Sequence, residues 1–136
     1  MSDTARTVAG ISLLTIPFIM YGGYFLLGII TRRNNGLVSQ LQHDFYRAGH
    51  AHAGVLVILS LVCQVLADSS HLPSPLTGIA RTSIALAPAF IPAGFFLSVT
   101  SPNQTKPTRV IWLIYIGIAS LAIGTILLGI GLLAPR

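Results

Sequence analysis

Hydrophobic and polar positions along this chain are segregated into long blocks and do not alternate. Four uncharged stretches, Thr7 to Thr31, Ala48 to Ala67, Thr82 to Thr105 and Val110 to Pro135, are separated by short segments that carry all eight basic and all three acidic residues. Each stretch supplies the roughly 20 residues with which a helix crosses about 30 Å of hydrocarbon. An ionised side chain at the bilayer centre costs at least a few kcal/mol, which accounts for where the charges fall. The pattern predicts an all-α fold, a single-domain integral membrane four-helix bundle with spans at about 8–31, 48–67, 82–101 and 110–134. The first run is expected to be a retained helix, since its start lacks a clustered basic region and no small-residue cleavage site precedes Thr31.

Within the blocks, smaller features modify the helices. Pro17 and the sequence Tyr21-Gly22-Gly23-Tyr24 predict a bend or a close neighbour near the middle of the first. Thr31 to Gly36 is turn chemistry. Over 37–47, Leu37, Val38, Leu41 and Phe45 alternate with Gln40, Gln42, His43 and Asp44, which predicts a short amphipathic helix lying on the membrane surface or extending the second span outward. Asp68 to Arg81, rich in Ser, Pro and Gly, reads as a loop. Pro88 and Pro92 lie four apart in the third span; each removes a backbone donor, so the third helix is expected to kink and to leave the carbonyls of Ile84 and Pro88 without helical partners. In the fourth, Gly117, Gly124 and Gly131 recur every seven residues with Ser120 on the same stripe, a helix-packing seam for another helix of the bundle or for a second copy. Trp112 and Tyr115 near its start suit an interfacial belt.

Composition narrows the classes further. With 136 residues, 53% of them hydrophobic and 8% charged, and a mean hydropathy of +0.79, a water-soluble fold is excluded. The net charge of +5 would suggest nucleic acid in a soluble protein, but here the basic residues flank spans as membrane anchors do. Arg32, Arg33, Arg47, Lys106 and Arg109 fall on one side of a four-span topology and Arg6, Arg81 and Arg136 on the other, which places both termini outside the cytoplasm of a bacterial plasma membrane. Cys63, the single cysteine, reads as a small buried apolar residue. No nucleophile, base and orienting acid occur together, and no phosphate-cradling glycine loop precedes a lysine, so an enzyme acting on soluble substrates is not expected.

Chemistry concentrates at His50 and His52, in Ala48-Gly49-His50-Ala51-His52-Ala53-Gly54. Two residues apart on a helix point about 200° apart, so both cannot chelate one ion on a regular helix. His50 shares a stripe with His43, Arg47, Gln64 and Asp68, and His52 one with Phe45, Leu59 and Cys63; the polar stripe is the better candidate for the bundle interior. The small neighbours would let a flat macrocycle approach, so His50 and His52 are candidate ligands for haem b or a transition metal; interfacial histidines bonded to nearby carbonyls are the plainer reading. A shared site with His43, a helical rise of about 10 Å away, is out of reach, so a bis-histidine haem would need a second chain. His71 is expected in solvent.

Arg47-Ala48-Gly49-His50-Ala51-His52-Ala53-Gly54-Val55-Leu56 resembles a motif of small bacterial four-span membrane proteins. Over about ten residues it is also similar to the haem-ligand helix of subunit I of haem-copper oxidases. The chain lacks the further membrane histidines that hold the second haem and copper there, so no oxidase activity is implied. Three functions follow as expectations: a haem- or metal-binding redox component, a non-catalytic accessory or scaffold subunit of a homodimer or larger complex, and a small transporter or channel for a neutral molecule.

Overall fold

The computed structural model describes residues 1–31 and 39–135. Arg32, Arg33, Leu37, Val38 and Arg136, with most of the predicted first turn, lie outside the described residues. The described chain is helical throughout: α1 (Asp3–Ile30), α2 (Gln40–Ala67), α3 (Ser74–Leu97) and, after a 3-10 turn at Arg109–Ile111, α4 (Trp112–Leu133). All four are long and apolar enough to cross a membrane.

Local chemistry fixes where each helix begins. The Ser2 hydroxyl accepts from the Ala5 amide to cap α1, and Ser39 and Gln42 form a reciprocal capping box on α2, so donors that would be orphaned in a first turn are satisfied. Residues 40–47 are the first turns of α2 itself and not a separate surface helix. The segment read as a loop from Asp68 to Arg81 ends early, because α3 starts at Ser74. Pro73 stands before the first turn and Pro75 within it, where a fixed φ and a missing donor favour helix initiation. α3 also closes sooner than the sequence suggested, with Ser98 as its C-cap.

Packing is sequential. α3 lies between α2 and α4, while α1 is applied to α2 at the margin. Two clusters form the core: Cys63, Ala67, Ala80, Ile84 and Leu128 towards one end, and Leu56, Ala87, Ile91 and Ile114 towards the other, with Leu59 and Leu121 touching both. The seam between α3 and α4 sets large residues on glycines. A Cβ on Gly117 would lie 2.5 Å from Ile91 Cγ1, one on Gly124 2.6 Å from Ile84 Cγ1, and one on Gly94 2.5 Å from Ile114 Cγ1; Gly131 faces Leu72 in the same way. Ile84 and Ile91, seven apart on α3, therefore meet Gly124 and Gly117, seven apart on an antiparallel α4, at a spacing that keeps two helices in register along a left-handed crossing. Ser120 adds a hydrogen bond to the Ser83 carbonyl at 2.8 Å. Gly117 and Gly124 are thus covered by α3 of the same chain, and Gly131 by Leu72 of the α2–α3 connection.

The start of α1 and the end of α4 adjoin the α2–α3 connection: the Met1 amine stands 3.5 Å from Asp68 and the His71 amide donates to the Gly131 carbonyl at 2.9 Å. At the opposite end the Gln42 side chain donates to the Val99 carbonyl at 2.8 Å, tying α2 to the chain leaving α3.

Candidate functional site

Glycines let three helices converge on His50. On α2, Gly49 admits α3 so closely that a Cβ there would lie 3.0 Å from Phe95 Cβ and 3.1 Å from Phe96 Cε2. On α1, a Cβ on Gly23 would lie 3.1 Å from both Cε1 and Nε2 of His50, and one on Gly22 3.7 Å from Nδ1. The close neighbour expected at the Gly22-Gly23 pair is this imidazole.

Two cavities meet at that point. A groove of about 430 Å³ runs between α1, α2 and α3, with Ser12, Thr15, Ala53, Val57 and Pro88 in its wall. A partly open chamber of about 120 Å³ is bordered by Phe25, Leu26 and Tyr46. Gly22, His50 and Phe96 line both, so the two spaces adjoin at His50. The chamber is aromatic, with Tyr46 and Phe96 ring centres 5.8 Å apart and Phe25 and Tyr46 6.5 Å apart. Among the described residues no Asp, Glu, Lys or Arg lines either space. Groups able to hydrogen-bond a guest are few, since Thr15 already donates to the Ser12 carbonyl at 2.7 Å.

His50 and His52 are held apart. His52 is exposed, with Nδ1 2.7 Å from the carbonyl of Ala48 on its own helix and its ring 5.2 Å from that of Phe95. His50 faces α1 instead. Neither of its nitrogens has a hydrogen-bond partner among the described residues, in contrast to the engaged ring of His52. Among the described residues no three metal-ligating side chains gather; His43 pairs with Asp44 at 3.3 Å, and His71 is exposed. A macrocycle must bring its metal to an imidazole nitrogen, and the Nε2 side of His50 is occupied by Gly23. Seating haem on His50 requires α1 to be displaced.

A second polar cluster lies at the other end, where the sequence places Gln64 and Asp68 on the polar stripe of α2 and Arg81 as a flanking charge. Arg81 is buried, 6% exposed, and donates to the Gln64 carbonyl at 2.8 Å, to Gln64 Oε1 at 3.2 Å and to Asp68. Asp68 also accepts from the Ser2 amide at 3.0 Å. Burial pushes the Asp68 carboxyl up, but the hydrogen bonds from Ser2 and then the bond and charge of Arg81 outweigh it and hold the group at about 2. The sequence signal was the stripe joining Gln64 to Asp68 on α2; what it lacked was the α3 partner. Both terminal nitrogens of Arg81 are engaged within the chain, so the cluster ties the start of α1, α2 and α3 together.

The chain matches no family model, no curated protein and no solved structure.

Proposed function

We propose that this is a multi-pass protein of the bacterial plasma membrane, with both termini outside the cytoplasm, whose cleft between α1, α2 and α3 binds a small amphiphilic molecule and fixes its polar end on His50. The observation that carries this reading is His50 itself. An imidazole that borders two cavities and has no hydrogen-bond partner among the described residues offers a polar contact to a guest, through Nδ1 since Gly23 covers Nε2, inside walls that are otherwise mostly apolar. Binding sites for small molecules combine such a lining with a few polar groups. A bend of α3 at Pro88 and Pro92 belongs to the proposal: Pro88 borders the groove, and it leaves the Ile84 carbonyl without its helical donor.

The haem- or metal-binding redox component is less well supported, because the chain brings one imidazole and not two to the cleft and sets Nε2 against Gly23. A scaffold joined through the α4 glycines is also weakened, since α3 and Leu72 cover them. Native mass spectrometry of gently extracted protein separates these readings. A retained lipid-soluble molecule, lost in Gly22→Leu, is the expected result; protein of bare chain mass over a range of mild detergents overturns the proposal. A Soret band in the same sample that vanishes in His50→Ala would establish haem in its place.

A further inference from the structure

Taking the amphiphile site above as its premise, we infer that the guest carries a single six-membered ring bearing carbonyl or hydroxyl oxygens on a long hydrocarbon tail, the chemistry of a lipid-soluble quinone or phenol. The two compartments differ in a way that orders such a molecule.

The chamber fits one ring. A fully closed cavity of about 150 Å³ holds benzene; the chamber is about 120 Å³ and partly open, so a single ring can seat in it and extend through the opening, whereas two rings cannot. Its walls present Phe25, Tyr46 and Phe96, and a flat π-system gains from offset or edge contacts with aromatic side chains beyond the area it buries. An aliphatic head would forgo that gain. A phosphate or ammonium head is disfavoured, because among the described residues no side chain of opposite charge lines the space and an unpaired ion there is costly. His50 supplies the polar contact: an imidazole nitrogen can donate to a quinone carbonyl or accept from a phenol hydroxyl.

The groove fits the tail. It follows α1 from Ile11 to Gly22 and α3 from Ala85 to Phe96, and eleven residues of helix rise about 16 Å. Apart from Ser12 and Thr15, its wall is aliphatic or aromatic. Position agrees with polarity. The chamber lies nearer the end where α2 starts and α3 stops, among Phe25, Leu26 and Tyr46, while the groove descends past Ala53 and Val57 towards the middle of the helices. A ring near the headgroup level with its tail in the hydrocarbon is the posture such lipids take unaided, so the cleft captures them without turning them over.

The test is calorimetric titration of the full chain in nanodiscs of one fixed phospholipid with three probes: decyl-benzoquinone, decylbenzene and decanol. Decyl-benzoquinone should bind at one per chain, with decylbenzene and decanol each weaker by about tenfold or more, the equivalent of one lost hydrogen bond or ring contact. His50→Ala should reduce quinone affinity about tenfold and leave decylbenzene unchanged. Ala89→Phe, which fills the groove from α3, should weaken all three, and it serves as the blocking variant should Gly22→Leu fail to fold. Equal binding of decanol and decyl-benzoquinone overturns the ring assignment while leaving the amphiphile site standing. Failure of all three probes to bind overturns the site itself.

Discussion

Arg81 reaches back from two turns inside α3 to the Asp68 carboxylate at the end of α2, and the same guanidinium holds the carbonyl and side-chain oxygens of Gln64. Removing the guanidinium leaves the buried Gln64 oxygens without their donor and Asp68, itself partly open to water, without its partner. Arg81→Ala is therefore expected to lower the melting temperature in detergent by several degrees, whereas Arg109→Ala, at an exposed cation, should leave it nearly unchanged. The double variant Arg81→Leu with Asp68→Asn should recover part of the loss, because it removes both charges together. Thermal unfolding followed by circular dichroism measures all three, and an Arg81→Ala protein as stable as wild type would show that the pair contributes nothing.

The same carboxylate gives stability a pH signature. Asp68 is depressed in the folded protein from its ordinary 3.8 to about 2. A group with a lowered folded pKa contributes stability that is fully present above its unfolded value and lost as the pH falls through the folded one. Melting temperature should hold from neutrality to about pH 4 and then decline towards pH 2. Asp68→Asn should start lower and show less of that decline. Parallel curves for the two proteins would assign the acid loss to other groups.

How far the sequence could be read turns on these residues. The helices were legible because charge is so costly in hydrocarbon that the uncharged runs outline them. The start of α3 was misplaced for the same reason. Asp68 and Arg81 looked like solvated flanks, and nothing in one sequence says that charges thirteen apart neutralise each other across two helices. At the site, His50 and the Gly22-Gly23 pair each stood out, but that one packs on the other is tertiary information which neither local pattern contains. The α4 stripe shows the same limit: a seven-residue glycine period announces a close partner, and Ile84 and Ile91 announce nothing until the helices are side by side. Phe25, Tyr46 and Phe96 gave no signal, since aromatic residues on apolar helices are common and only their convergence makes a chamber.

The glycine seam yields a paired prediction. A methyl on Gly124 would stand 2.6 Å from Ile84 Cγ1 and 2.8 Å from the Ala80 carbonyl oxygen, and backbone cannot step aside as a side chain can. Gly124→Ala should cost about 1–3 kcal/mol through overpacking. Gly129, one turn further on, has open space where its Cβ would be, so Gly129→Ala should be neutral or stabilising by up to about 1 kcal/mol through helix propensity. Denaturation in mixed micelles compares them directly. A destabilised Gly129→Ala beside an unaffected Gly124→Ala would place the close partner on the other face of α4.

Topology provides the last test. At the end that holds the termini, the described basic residues are Arg6, which is exposed, and Arg81, which is buried against Asp68. At the opposite end Arg47, Lys106 and Arg109 are all exposed. Basic side chains free at the surface are retained on the cytoplasmic side, so sequestering Arg81 strengthens the assignment of the α3–α4 connection to the cytoplasm. In a Cys63→Ala background, a membrane-impermeant maleimide applied to intact cells should label His71→Cys, and it should label Asn103→Cys only after the membrane is opened. Both positions are exposed, so reagent access within the fold does not limit either reaction. The reverse labelling pattern would put both termini in the cytoplasm, and with them the Asp68–Arg81 cluster; the chamber beside His50 would then face the outer leaflet.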